Sequence, residues 1–265
     1  MALGERKLVR GLLRGLDVLR ALNDKQVLTA QQISARTRLP RGTVHRLLDT
    51  LMEAGYVAHV QESDTYRLTA EVLTLARGFD ADALLMDVAA PVMGELGREI
   101  IWPTDIATFG HDAMIIRQGT FRSSPLSFFP RSPRGRTARV PILLTSPGRA
   151  YIAHVADEER DAILRDIARS DQPDAPLATD ARQVSSLVAE VRRRGYGFRD
   201  GGFLPNSRSI AVPIMGEGRP IACLTVVVRG PQSLDEAAAQ YLEPLRRAAA
   251  TIETGLRRNG FVALH

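Results

Sequence analysis

Residues 39–48, LPRGTVHRLL, set a proline, two arginines, a glycine, a threonine and a histidine directly ahead of a leucine pair. Side chains of these types at a helix start either sit in solvent or face an anion. Guanidinium groups pair with phosphates and read guanine edges, and first-turn amides at the positive end of the helix dipole hold negative charge. From Arg36 to Leu48 the chain carries Arg36, Arg38, Arg41 and Arg46 and no acid, where a merely solvated face would mix both signs. Val44, Leu47, Leu48 and Leu51 recur at helical spacing and turn inward. That leaves Arg41, Gly42, Thr43, His45, Arg46 and Asp49 outside or at the edge, with the small pair Gly42-Thr43 permitting close approach to a duplex.

A second candidate chemistry lies at Ser146-Pro147-Gly148, which opens a helix. Its first-turn amides suit a carboxylate; equally, Ser146 serves as an ordinary cap. Trp102, Phe109, Phe128 and Phe129 are either an aromatic wall for such a ligand or plain core, and the basic stretch RGRTAR at 134–139 is either a pocket rim or a solvated loop. Catalytic signatures are missing: the sequence has no Gly-x-Ser-x-Gly elbow, phosphate-binding loop or His-Glu-x-x-His. GYGFRDG at 195–201 has no third glycine in register and follows a helix, so it reads as a helix cap and turn. Cys223, the single cysteine, sits among Ile221, Ala222 and Leu224 and reads as a buried small hydrophobe. The histidines at 45, 59, 111, 154 and 265 show no metal-ligand spacing. No cofactor and no metal are expected.

The elements that must position these residues follow from periodicity. Residues 9–22 form a helix with Leu12, Leu16, Leu19 and Leu22 inward and Val9 and Val18 beside them. Thr29 and Gln32 make a capping box for a short helix with Ile33 and Ala35 inward and Arg36 and Arg38 outward. The third helix runs from about Pro40 to Ala54, and Gly55 stops it. Tyr56 to Val60 and Tyr66 to Leu68 alternate as a hairpin around ESD. Residues 69–79 and 82–101 are helical, the second with Leu85, Val88, Val92, Leu96 and Ile100 near one face, and a linker falls at about 78–82. Beyond it, WPTDIATFG and AMIIRQGT are neighbouring strands joined at His111-Asp112. SIAVPIMG and PIACLTVVV pair around GEG, with Gly216 and Gly218 supplying the turn. Helices cover 157–169, 180–194 and 233–257. The class is α+β with an antiparallel sheet. Two domains are expected, 1–78 carrying helix-turn-helix and wing, and 79–265 carrying the sheet, a small-molecule site and oligomer contacts.

Composition agrees with that division. Of 265 residues, 45% are hydrophobic and 25% charged, ordinary for a soluble protein. Runs such as IACLTVVV are too short to span a bilayer, and MALGERKLVR lacks an apolar signal core, so no membrane and no export are expected. One cysteine excludes an internal disulfide and fits the cytoplasm. Residues 1–70 hold 11 Arg and Lys against 7 Asp and Glu, while the remainder holds 24 against 23. The excess cation therefore lies in the quarter that would meet nucleic acid.

These motifs resemble the IclR family of bacterial transcription regulators. TVHRLLDTLMEAGYV is similar to its recognition helix and first wing strand, YRLTAEVLTLARGF to its passage from wing to linker. RRRGYGFRDGG, TSPGRA and SIAVPIMGEGRPIACLTVV are similar to its GAF-like effector domain. Two departures stand out: Gly42 where serine is usual, and Gly-Arg-Ala where Gly-Lys-Ala is usual. The resemblance implies double-stranded DNA as partner, with Arg36, Arg38 and Arg67 on the backbone beside the α-helical face, and a homodimer or homotetramer working with RNA polymerase. It also implies an effector at Ser146, Pro147 and Gly148, against Ser209 and Thr225 and near Asp200. REIIWPTDIATF resembles the subgroup controlling phenylpropionate or related aromatic-acid catabolism, which implies an aromatic carboxylate and brings Trp102 close to the sheet, with Phe109 and Phe128 the further candidates for the aromatic wall. The competing function is a ligand-converting enzyme or sensor module carrying a DNA-binding domain.

Overall fold

Val18, Leu22, Leu28, Ile33, Val44, Leu48, Val57 and Tyr66 close one apolar core. It belongs to the first of two units, Met1–Phe79 and Asp80–His265, in a computed structural model describing residues 8–24, 27–121, 123–127 and 138–261. The unit comprises α1 (Arg10–Asn23), α2 (Ala30–Thr37), α3 (Arg41–Glu53), β1 (Val57–Val60) and β2 (Thr65–Leu68). The expected capping box starts α2: Thr29 Oγ1 accepts from the Gln32 amide at 3.3 Å, and Gln32 Oε1 accepts from the Thr29 amide at 2.8 Å. Arg38 ends α2 in the left-handed region at φ 56°, and Ser34 Oγ donates to the Leu39 carbonyl at 2.6 Å. The turn into α3 is thus fixed from both sides. Gly55, at φ 83°, follows α3 where a side chain would be strained. β1 and β2 pair antiparallel, and Leu28 adds a short third rung by exchanging backbone hydrogen bonds with Tyr66.

Three local expectations change. In α1 burial is confined to Val18, Ala21 and Leu22, while Leu12 is 63% and Leu16 38% exposed. The helical period was legible; which arc of it meets α2 and α3 was not. Ala35 is exposed, because the eight-residue α2 buries Ile33 alone. Residues 70–76 form a 3-10 helix rather than an α-helix, started by Thr69 accepting from the Glu71 amide.

In the second unit, α4 (Ala81–Glu99) is capped by Asp80, which accepts from the Ala83 amide at 2.9 Å. The chain continues through β3 (Thr104–Phe109), β4 (Met114–Gly119), β5 (Ala138–Val140), α5 (Ser146–His154), α6 (Asp157–Ala168), α7 (Ala175–Ala178) and α8 (Ala181–Arg194). It ends with β6 (Gly197–Asp200), β7 (Ser207–Gly216), β8 (Arg219–Arg229) and α9 (Leu234–Arg258). The strands form one antiparallel sheet in the order β5-β4-β3-β8-β7-β6, the α+β arrangement expected. Strand alternation sorts the side chains into two layers. Ile106, Ile210, Val212, Leu224 and Val226 pack with α4 and α9; Ala107, Met114, Ala211 and Cys223 pack with α5, α6 and α8.

Here too the structure adjusts details. α4 buries Leu85, Ala89, Met93 and Leu96, while Val88 and Val92 are only half-buried. The β7–β8 turn places Glu217 at φ 48° and Gly218 at φ 83°; Gly216 stays in the ladder opposite Arg219. β5, β6 and α7 have three or four residues each, too few to show a period. Gly195 caps α8 as expected, at φ 73°, but the chain then runs straight into β6. Among the described residues no helix is long and apolar enough to cross a membrane.

Candidate functional site

The first unit presents a cationic helix start. Pro40 is the N-cap of α3 and no side chain caps the helix. The Thr43 and Val44 amides bond to the Pro40 carbonyl at 2.9 and 3.0 Å, and the first turn contains no acid. Arg41, Gly42, His45 and Arg46 are exposed and Thr43 is half-buried, while Val44 and Leu48 anchor the opposite face in the core. A Cβ on Gly42 would meet nothing within 4 Å, so this helix start is open to a close-approaching surface. Arg38 is exposed in the turn before α3, and Arg67 is exposed on β2 opposite Ala58. Arg36 behaves differently: its guanidinium donates to the Ala21 carbonyl at 3.4 Å and braces α2 against α1. On the wing, His59 stacks on Tyr66 at 4.7 Å and its Nε2 lies 2.9 Å from Asp64 Oδ1.

The second unit carries a buried polar row on the sheet face beneath α5. Ser146, Pro147 and Gly148 begin that helix and are all buried. Thr145 rather than Ser146 is the N-cap. Ser146 Oγ instead donates to Ser209 Oγ on β7 at 2.8 Å, so the alternative of a simple serine cap does not hold. The helix start sits unusually close to its surroundings. A Cβ on Gly148 would come within 2.2 Å of the Ile142 carbonyl oxygen, and one on Gly197 within 2.2 Å of the Ser146 carbonyl oxygen. The preceding turn is held by Asp174, whose Oδ2 accepts from the Leu143 amide at 2.7 Å; burial pushes that carboxyl's pKa up.

Register extends the row. Thr225 on β8 lies opposite Ala211 on β7 and Asp105 on β3. Asp105 is 3% and Thr225 2% exposed. Burial is the main influence on Asp105 and raises its pKa to about 7. The Thr225 hydroxyl eases that charge but closes no hydrogen bond of good geometry. Among the described residues Asp105 Oδ1 and Thr225 Oγ1 are both left without a hydrogen-bond partner.

Not every expected residue joins this row. Trp102 packs on the opposite layer, with α4 and α9. Asp200 is turned away by the alternation of β6 and pairs with Arg208 at 2.9 Å. Phe109 lies farther along β3 and stacks on Tyr151 at 4.8 Å. Phe128 and Phe129 lie outside the described residues, as does most of 134–139; Arg139 pairs with Asp112. Arg149 is engaged with the Leu143 and Phe198 carbonyls at 2.7 and 2.9 Å and lies over the Phe198 ring, and burial lowers its pKa. Asp105 was not anticipated, although a lone acid inside the alternating run TDIATF is a visible signal. Surface depressions of about 670 and 530 Å3, one beside Pro231 and Glu236 and one between Val88 and Gly255, are not lined by the polar row.

Comparison with known proteins agrees with both units. Residues 11–61 match the model of the IclR helix-turn-helix domain and residues 82–254 that of the bacterial transcriptional regulator IclR C-terminal. The Pca regulon regulatory protein of Pseudomonas putida is 31% identical over 229 residues, 84% of this chain and 75% of that protein. The transcriptional repressor IclR of Escherichia coli is 25% identical over 223 residues, 82% of this chain and 79% of its own. An IclR homologue of Microbacterium hydrocarbonoxydans, solved in complex with 4-hydroxybenzoate, is similar over 94% of this chain and 99% of its own, at 28% identity and a TM-score of 0.54. These relatives are regulators of transcription, not enzymes. Matched along both units and over more than half its length, the chain belongs to the IclR family and is a DNA-binding transcription regulator.

Proposed function

We propose that this regulator is a cytoplasmic homo-oligomer that binds a two-half-site operator and senses an aromatic carboxylate, thereby controlling aromatic catabolism. The observation that carries the effector reading is the buried polar row itself. Ser146, Ser209, Thr225 and Asp105 are buried on the sheet face beneath α5, beside the buried Arg199, in a chain similar to one that binds 4-hydroxybenzoate. The carboxylate goes to the start of α5, where helix dipole and hydroxyls favour an anion. A ligand of about a dozen heavy atoms supports roughly 7–8 kcal/mol, a micromolar dissociation constant.

On the operator, α3 lies in the major groove with Arg41, Thr43, His45 and Arg46 toward the bases, and Arg38 and Arg67 toward phosphates. Arg36 divides its donors between the Ala21 carbonyl and the backbone. A single recognition helix reads few base pairs, so two copies are needed for specificity. Exposed Leu8, Val9, Leu12 and Leu13 around α1, and Leu73 and Leu75 after the wing, support contact with a second copy. The test is calorimetry on the full-length protein with aromatic and short aliphatic acids. Micromolar binding of an aromatic acid supports the reading; binding of glyoxylate- or pyruvate-sized acids alone overturns the aromatic assignment.

A further inference from the structure

Resting on that effector reading, we infer that Asp105 determines specificity: it receives a hydroxyl carried on the ring opposite the carboxylate, so the effector is a hydroxylated aromatic acid. Three observations converge. First, Asp105 and Thr225 are nearly wholly buried, yet Asp105 Oδ1 and Thr225 Oγ1 lack hydrogen-bond partners among the described residues. A buried acceptor left unpaired is costly, and a ligand donor removes that cost. Second, the place is right. Asp105 and Ser209 share one sheet face, two strands apart and one residue pair along the ladder, roughly 12 Å between Cα atoms at ordinary strand spacings. Allowing for both side chains, one benzene ring with a polar group at each end spans that gap, over a floor of Ala211 and Thr225. Third, the two ends differ in charge preference. The α5 end offers the helix start and the Ser146–Ser209 hydroxyls, whereas Asp105 repels a second carboxylate and welcomes a neutral donor.

The surroundings leave Asp105 without a cation. From β8 it faces Thr225 and Cys223, whose thiol is itself pushed up by burial and by Asp105. β4 sets Gly119 opposite, β7 contributes Ala211 and Ser209, and α5 contributes Ser146. Arg149 points to the Leu143 and Phe198 carbonyls, and Arg199 to the carbonyls of Gly201, Leu204 and Ser207. A hydroxyl donating to Asp105 favours its ionised form while the ligand's own carboxylate disfavours it, so binding of such a ligand is coupled to pH around neutrality through Asp105.

The experiment is calorimetry of 4-hydroxybenzoate and benzoate on full-length wild type, Asp105→Leu and Asp105→Asn, at about pH 6 and about pH 8, with circular dichroism to verify folding. Wild type is expected to prefer 4-hydroxybenzoate by roughly tenfold or more, since a site built for a hydroxyl rejects the analogue lacking it. Asp105→Leu should bring the two affinities together. Asp105→Asn, the closer isostere should the leucine variant fail to fold, should lose the dependence of affinity on pH. Equal wild-type affinities, a preference retained in folded Asp105→Leu, or a pH dependence that Asp105→Asn leaves unchanged overturns the role of Asp105 while the effector reading stands. Failure of every aromatic acid to bind wild type overturns both.

Discussion

Gly148→Ala probes how tightly the start of α5 is seated. The added Cβ would lie 2.2 Å from the Ile142 oxygen, 2.4 Å from its Cα and 2.6 Å from its carbonyl carbon. All three are backbone atoms, and that segment is pinned by the Asp174–Leu143 hydrogen bond and a fully buried Ile142. Contact distances near 3.5 Å require the helix start to move by about 1 Å. Such overpacking costs about 1–3 kcal/mol, partly offset by the gain of about 0.5–1 kcal/mol when alanine replaces glycine in a helix. At roughly 2–4 °C per kcal/mol for a domain of this size, the melting temperature should fall by several degrees. The same shift stretches the 2.8 Å Ser146–Ser209 bond beyond hydrogen-bonding range, so effector affinity should fall with it. Differential scanning calorimetry and ligand titration measure both quantities. An unchanged or raised melting temperature with unchanged effector affinity would refute the packing described for this helix start.

Gly42→Ala separates folding from DNA contact. Its Cβ meets nothing and the serine usual here in the family carries one, so thermal stability should hold or rise by up to about 1 kcal/mol with operator affinity in a gel shift retained; a clear loss of affinity brings the duplex closer to α3 than a Cβ allows. For Asp105 the folded pKa of about 7 exceeds the ordinary 3.8, so the folded state holds its proton more tightly than the unfolded state. Its contribution to stability therefore declines as pH rises from about 4 to about 7 and levels off above, at most by about 4 kcal/mol. Urea unfolding should show Asp105→Asn gaining on wild type across that window, and parallel pH profiles would contradict the assignment. Leu12→Glu, on the exposed arc of α1, should lower the oligomeric state in light scattering without unfolding the chain; an unchanged mass removes α1 from the interface.

The helix-turn-helix was legible because its determinants are local. Thr29 and Gln32 announce a cap, Gly55 a stop, and Val44 with Leu48 an inward face, and all three are seen. The arc of α1 that is buried depends on partner helices, so Leu12 and Leu16 were misassigned. In the second unit Ser209 and Thr225 came from the family resemblance and share one sheet face, whereas Trp102 and Asp200 were placed near the site without regard to which sheet face each occupies. Asp105 and Thr225 meet only through the β3–β8 register. These strands are far apart in the chain, so no short-range pattern pairs them. β6 has four residues behind a glycine cap and merges with the turn it follows.

The most direct test is the affinity of full-length wild type and Arg46→Ala for the gene's own upstream DNA, with and without 4-hydroxybenzoate, by fluorescence anisotropy at fixed salt. Wild type should bind that DNA well above a scrambled duplex, Arg46→Ala should lose about 1–3 kcal/mol of the specific affinity, and the ligand should change wild-type affinity for the operator. Equal binding to operator and scrambled DNA, unaffected by Arg46→Ala and by ligand, would contradict it.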